Sequence, residues 1–200
     1  MKKYELPTGQ QIQAQAKAAA DLTGNWWEEP RIQFLATSGA RWDEHVPLTG
    51  TSFDLANRTV VIDGRHVTWP LALDAMIQRR VPEVGGGLMF PGQAPGVPAS
   101  RESWRRRVFV PAGLAAGWPV TRRGNGRVAL KWGIHIYRRC AAKYLVTKGA
   151  GLIDIARRFG HTTIACLETY VSDALGAAED DPAGDDGANV GDDGDERDDG

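Results

Sequence analysis

The sequence predicts an α+β fold, mainly α-helical with a small antiparallel β-sheet. Three observations carry this. Thr8 and Gln11 stand at capping-box spacing before a helix-forming run, Asp63-Gly64 separates two β-branched segments, and Leu152, Ile155, Ala156 and Phe159 recur at i, i+3, i+4 and i+7.

In chain order, Thr8 opens the first helix, GQQIQAQAKAAADL. A second, PRIQFLATS, has Pro30 in its first turn, where a missing N–H is harmless, and carries the apolar Ile32, Phe34 and Leu35. Gly39 breaks it and ARWDEHVPL follows. The hairpin pairs RTVVI with RHVTWPL across Asp63-Gly64, and LALDAMIQRR returns to helix. Residues 82–99 read as Gly/Pro-rich loop; Ser100 or Ser103 caps a short helix, WRRRVFVPAGL; GWPVTRRGNGRVALKWG reads as an arginine-rich loop. IHIYRRCAAKYLVTKG and LIDIARRFG complete the helices, with Gly160 ending the last. No internal repeat is present.

The 200 residues suit one domain, or one domain and a tail, and 42% hydrophobic content is enough for a packed core. No stretch approaches the roughly 18 apolar residues of a membrane span, and MKKYELPTGQQ lacks the apolar segment of a secretory signal. Cys140 and Cys166 form neither a metal-ligand pattern nor a disulfide framework, which points to a reducing cytoplasm with both thiols acting as small apolar residues. His45, His66, His135 and His161 have no matching carboxylate spacing, so no metal site and no cofactor are expected.

The net charge of −1 conceals an asymmetry. From Glu179 onward there are 11 acids and one base, Arg197; of the 25 acids and 24 bases in the whole chain, 14 and 23 remain in residues 1–178, a net of +9. A basic body favours polyanions. The Gly/Asp-rich stretch from 176 to 200 has almost nothing to bury and is expected to be a disordered acidic tail.

His135 and Arg138 lie three apart on a predicted helix and share a face. His161 follows the helix-ending Gly160 and is free to leave the axis. Nine residues at about 100° each would set Tyr170 half a turn from His161 and about 13 Å along a straight helix, so a shared site requires the chain to turn between them.

These residues are similar to the catalytic domain of tyrosine recombinases, the phage-integrase family. HIYRRCAAKYLVTKGAGLIDIARRFGHTTIACLETY resembles the family's H-x-x-R helix, its L-G-H segment and a tyrosine nine residues beyond. TSGARWDE resembles its T-G-x-R-x-x-E motif with Ser38 in addition, supplying Arg41 and Glu44, and SFDLANRTVVIDGRHVTWPL resembles its strand hairpin. The resemblance covers roughly residues 5–173 and implies a catalytic-domain-like unit over 1–175. It implies that Tyr170 attacks a DNA phosphodiester to form a covalent 3′-phosphotyrosine. Arg41 and Arg138 would clamp the non-bridging oxygens, His135 would serve in proton transfer, and His161 would hydrogen-bond the phosphate. The implied function is a site-specific recombinase or integrase that acts on double-stranded DNA, self-associates as a synaptic tetramer or joins full-length relatives, and is cytoplasmic, nucleoid-associated when DNA-bound.

The residue chemistry agrees. Two guanidinium forks stay protonated and match the equatorial oxygens of a pentavalent phosphorus, and tyrosine, titrating near pH 10, needs neighbouring cations or a base to act as nucleophile. The chain departs from the family in three ways. None of its six lysines falls on the hairpin, where Arg65 is the nearest substitute with His66 beside it. The motifs begin almost at once, so the relatives' N-terminal core-binding domain is expected to be absent, and VSDALGAA offers at most about two helical turns after the tyrosine. Arg105, Arg106, Arg107, Arg122, Arg123, Arg127 and Lys131 are expected to contact the DNA backbone, and six such contacts would give a log-log salt slope of about −5. Two other readings remain open: a non-catalytic, truncated DNA-binding remnant, and a type IB topoisomerase.

Overall fold

The computed structural model describes residues 6–94, 96–122 and 128–160. Its first helix, α1 (Gly9–Thr23), opens on the expected capping box: Gln11 N–H donates to Thr8 Oγ1 at 3.2 Å and Thr8 N–H to Gln11 Oε1 at 2.8 Å. It ends at Gly24 in the left-handed region. Helix α2 (Glu28–Ser38) begins two residues before Pro30, because Glu28 and Glu29 suit the positive end of a helix dipole and Pro30 still falls in the first turn. Gly39 ends it, and within ARWDEHVPL the chain makes one more short helix, α3 (Trp42–His45).

The sheet has three strands rather than a bare hairpin. β1 (Phe53–Asp54), β2 (Thr59–Ile62) and β3 (Arg65–Thr68) pair antiparallel in that order. Ile62 faces Arg65 across the Asp63-Gly64 turn, whose two residues have φ of 48° and 72°, the positive values a two-residue hairpin turn requires. Val60, Ile62 and Val67 point into the core while Val61 and His66 face outward. β1 went unforeseen because two residues are too few to show a period.

Helix α4 (Leu71–Val84) continues through Pro82 into the segment expected to be loop. The proline removes one donor near the helix end, and Gly85 N–H closes the last turn on Val81 O at 3.0 Å. Ser100, not Ser103, caps the next helix, which starts three residues early: α5 (Arg101–Trp104) runs through a π-helical stretch, Arg105–Phe109, into α6 (Val110–Ala115). The arginine-rich segment expected to be loop contains a strand pair, β4 (Val120–Arg122) and β5 (Val128–Leu130). All three β4 residues are exposed, so no alternation betrays it. Helices α7 (Ile136–Thr147) and α8 (Leu152–Phe159) follow; Ile155, Ala156 and Phe159 of α8 are buried, while Leu152 in its open first turn is not.

Helix α2 organises the core. Ile32, Leu35 and Ala36 pack with α1, α6, α7 and the aromatic group of Trp42, Trp104, Phe109, Trp118 and Tyr137. Phe34 enters a second cluster built from the sheet and α4. A third joins α7 to α8 through Ala141, Ala142, Leu145, Ile155 and Phe159. Among the described residues no helix is long and apolar enough to cross a membrane.

Candidate active site

Three arginines from three separate elements meet on one carboxylate. Arg41 caps α3, Arg65 begins β3 and Arg138 lies in the first turn of α7. Glu44 Oε1 is 2.9 Å from Arg41 Nη1 and 2.7 Å from Arg65 Nη2, and Glu44 Oε2 is 4.0 Å from Arg138 Nη1. Glu44 also accepts the Arg41 backbone N–H at 2.8 Å, which fixes the carboxylate at the start of its own helix. Burial would push this carboxyl up, but the Arg41 amide and the guanidinium groups of Arg65 and Arg41 outweigh it and hold it below the usual carboxylate value.

Exposure differs among the three. The Arg41 side chain is 48% exposed, that of Arg65 16% and that of Arg138 5%. Arg41 can therefore reach a ligand outside the protein, whereas Arg138 forms the floor. Arg138 Nη1 donates to Gly39 O at 2.5 Å and Nη2 to Phe159 O at 2.6 Å, with the guanidinium 4.6 Å above the Phe159 ring. Arg65 Nη1 donates to Arg158 O at 2.7 Å. Two glycines make this closeness possible. A Cβ on Gly39 would lie 2.2 Å from the Phe159 ring, and one on Gly160 would lie 3.1 Å from Arg65 Cζ; both residues have positive φ. A cleft of about 510 Å³ opens beside the cluster between the hairpin and α8, lined by Arg65, His66, Arg157 and Arg158. A larger cleft of about 610 Å³ lies near Glu28 and Arg107, but none of the three clustered arginines lines it, so it is not the candidate site.

His135 is the residue before α7, not a member of the helix, and its carbonyl accepts the Arg138 N–H at 3.1 Å. It lies at the surface, and Arg101 Nη2 sits 2.8 Å from its Nε2. Partial burial of the ring, then the guanidinium charges of Arg101, Arg138 and Arg139, keep its pKa below the ordinary histidine value. His161 and Tyr170 lie outside the described residues, as do Arg123 and Arg127. Of the expected backbone-contacting bases, Arg106, Arg107, Arg122 and Lys131 are exposed and Arg105 is partly covered. Arg105 Nη1 is 3.5 Å from Glu102 Oε1, and Arg107 Nη1 donates to Gln93 Oε1.

In the sequence Glu44 stands in a motif without a task of its own, Gly39 shows only as a helix breaker, and nothing singles out Arg101 or Arg158. The i, i+3 spacing of Arg41 and Glu44 was the one local signal for the carboxylate; nothing local links Arg101 to His135, which are 34 residues apart. Nor does the sequence reveal a buried polar group behind the site. Arg31, fully buried, pairs with Glu28 at 3.2 Å, donates from Nε to His45 Nε2 at 3.2 Å, and lies 5.1 Å from both the Trp42 and Trp104 ring centroids. His45 Nδ1 donates to Trp42 O at 2.8 Å, so His45 is neutral; burial, then Arg31, hold its pKa well below the ordinary value.

No family model matches the chain, and no curated protein matches it either. Solved structures do. XerA recombinase superposes with a TM-score of 0.67 at 16% identity, over 85% of this chain and 59% of XerA. XerH site-specific recombinase, bound to its difH substrate in a pre-cleavage complex, gives 0.63 at 20% identity, over 85% of this chain and 51% of XerH. The catalytic domain of bacteriophage HP1 integrase gives 0.54 at 16% identity, over 84% of this chain and 88% of that domain. The chain thus spans about half to three-fifths of the two Xer recombinases but most of the isolated catalytic domain. Its fold is that of a tyrosine recombinase catalytic domain.

Proposed function

We propose that this chain cuts and rejoins double-stranded DNA as a site-specific recombinase or integrase. The observation that carries the reading is the cluster of Arg41, Arg65 and Arg138 on Glu44. Three fixed positive charges face one carboxylate, and the surplus suits a phosphodiester gathering negative charge at its transition state. The Tyr170 oxygen attacks phosphorus and loses its phenolic proton, with His135 serving in proton transfer. A new P–O bond to Tyr170 forms as the bond to the 5′-oxygen breaks, and the phenolic proton taken up by His135 passes, directly or through water, to the 5′-oxygen, which leaves as a hydroxyl. Reversal by a second 5′-hydroxyl reseals the strand without ATP. Arg41 and Arg138 hold the non-bridging oxygens and His161, directly after Gly160, donates to the phosphate. Arg65 hydrogen-bonds the leaving oxygen where relatives have lysine; a guanidinium holds its protons too firmly to give one up, so it serves as a hydrogen-bond donor rather than an acid. Arg105, Arg106, Arg107, Arg122, Arg123, Arg127 and Lys131 hold the duplex backbone, and assembly into a synaptic tetramer or with full-length relatives would place two duplexes together.

A pool of nicked suicide duplexes with randomised sequence tests this. The expected product is a protein–DNA adduct stable to denaturation and lost in Tyr170→Phe. An adduct that persists in Tyr170→Phe refutes the assignment. One observation favours a second reading, a non-catalytic DNA-binding remnant. Arg138 spends Nη1 and Nη2 on backbone carbonyls, and Arg65 Nη1 does the same, so both act as internal braces. Duplex binding without any trapped adduct selects that reading.

A further inference from the structure

Arg101 belongs to none of the recognised motifs, yet its guanidinium occupies one ring nitrogen of His135. The contact is Nη2 to Nε2 at 2.8 Å, from α5 to the residue preceding α7. Its chemistry allows only one arrangement. A guanidinium has five N–H donors, no acceptor, and stays protonated at any ordinary pH. Nε2 must therefore accept, which leaves the imidazole proton on Nδ1. Protonating Nε2 would set N–H against N–H and two cations in contact.

We propose that Arg101 is a positioning residue that keeps His135 neutral with its proton on Nδ1, and that DNA phosphate, by drawing Arg101 away, frees Nε2 for proton transfer. This rests on the recombinase reading for its purpose but not for the contact itself. Arg101 is exposed, and among the described residues no carboxylate lies within ion-pairing distance of it. A phosphate oxygen is a stronger acceptor for a guanidinium than a neutral imidazole, since the bond is then charged at both ends. The other charges acting on His135 are Arg138 and Arg139 of α7, both positive, and they oppose its protonation in the same sense. Loss of Arg101 alone thus removes one of three repulsions together with the hydrogen bond. The device withholds the base until the anion it must serve has arrived.

The test is an NMR titration of the full chain, following the imidazole carbon-bound proton and both ring nitrogens of His135, with His135→Gln to assign the signals. In the parent the Nε2 shift should be that of an unprotonated nitrogen and the midpoint should lie below an ordinary histidine's. Arg101→Met should raise the midpoint and mix the two tautomers, while Arg101→Lys, which keeps a cationic donor, should retain part of the depression. Adding a short non-specific duplex should move the parent's His135 signals toward those of Arg101→Met and leave Arg101→Met itself less changed. A parent with Nε2 protonated, or equal midpoints in parent and Arg101→Met, overturns the proposal. If the titration behaves as expected and no suicide duplex is trapped, the contact stands and the recombinase reading fails instead.

Discussion

Replacing Gly39 by alanine measures how tightly the site is built into the fold. Gly39 ends α2 with a φ of 73°, and a Cβ there would sit 2.2 Å from Phe159 Cε1 and 2.7 Å from its Cδ1 and Cζ. Two costs follow. A left-handed backbone carries about 1–2 kcal/mol of strain for a residue with a Cβ. Overlap with a packed ring forces a shift costing about 1–3 kcal/mol, and Phe159 has no room to yield, being completely buried with Arg138 stacked on it. The sum is about 2–5 kcal/mol, a large share of the about 5–15 kcal/mol by which a domain is stable. Gly24→Ala is the internal control. Gly24 also ends a helix at φ 69°, but a Cβ there would meet nothing within 4 Å, so only the strain remains. Gly160→Ala should fall between them, since its nearest obstacle is the Arg65 guanidinium at 3.1 Å. Urea unfolding of the three variants gives the order directly. Equal losses for Gly39→Ala and Gly24→Ala would refute the claim that Phe159 fills the space over Gly39.

Glu44→Gln removes the one negative charge among Arg41, Arg65 and Arg138 and should cost about 1.5–3 kcal/mol by urea unfolding. Because the Glu44 pKa is lowered on folding, its contribution is present above the unfolded carboxylate value near 4.5 and fades as pH falls through the folded one; the variant should lose that acid sensitivity. His45 acts earlier on the same axis. Its folded pKa lies well below the ordinary 6.5, so its contribution is full above pH 6.5 and is lost as pH drops below it, with a slope of up to about 1.4 kcal/mol per pH unit. His45→Asn, which keeps an acceptor for Arg31 but does not titrate, should flatten the stability curve between about pH 6.5 and 5. Burial raises the Cys140 thiol to about 12, so at pH 8 only about one molecule in ten thousand carries the thiolate. Peptide mapping after brief alkylation should find Cys140 unmodified in the folded chain and labelled in urea.

Local chemistry made part of this legible. Thr8 with Gln11 and Asp63 with Gly64 act over two or three residues, and both formed as their spacing required. The Arg41 and Arg138 pairing was legible only through resemblance, since 97 positions separate them and no period spans such a gap. What went unseen depended on tertiary partners. Pro82 stays helical because Gly85 closes the turn behind it. β4 survives with all its side chains exposed because Val120, Thr121 and Arg122 find partners in β5. Arg31 and Glu28 stood at ion-pair spacing in the sequence, yet spacing says nothing of depth; only the Trp42 and Trp104 rings on either side make that pair part of the core.

The position of Arg138 shows why fold and site are hard to separate in this protein. Helices α2 and α8 each end at a left-handed glycine, Gly39 and Gly160, and each leaves a carbonyl without a partner inside its helix. Those carbonyls, Gly39 O and Phe159 O, converge on the two Nη atoms of one guanidinium. A helix C-terminus carries partial negative charge, so two of them make a favourable seat for a fixed cation. The planar fork matters as much as the charge, because its two nitrogens reach two acceptors at once. Arg138→Lys keeps the charge and loses the fork, leaving one carbonyl unsatisfied at a cost of about 1–3 kcal/mol. If Arg138 were only a brace, suicide-duplex trapping by the variant would return to the parent's level under conditions that restore its folded fraction. If it also holds phosphate oxygens, trapping stays low in fully folded Arg138→Lys. Measuring unfolding and trapping on the same sample separates the two, and a trapping loss that merely tracks the unfolded fraction would remove Arg138 from the reaction.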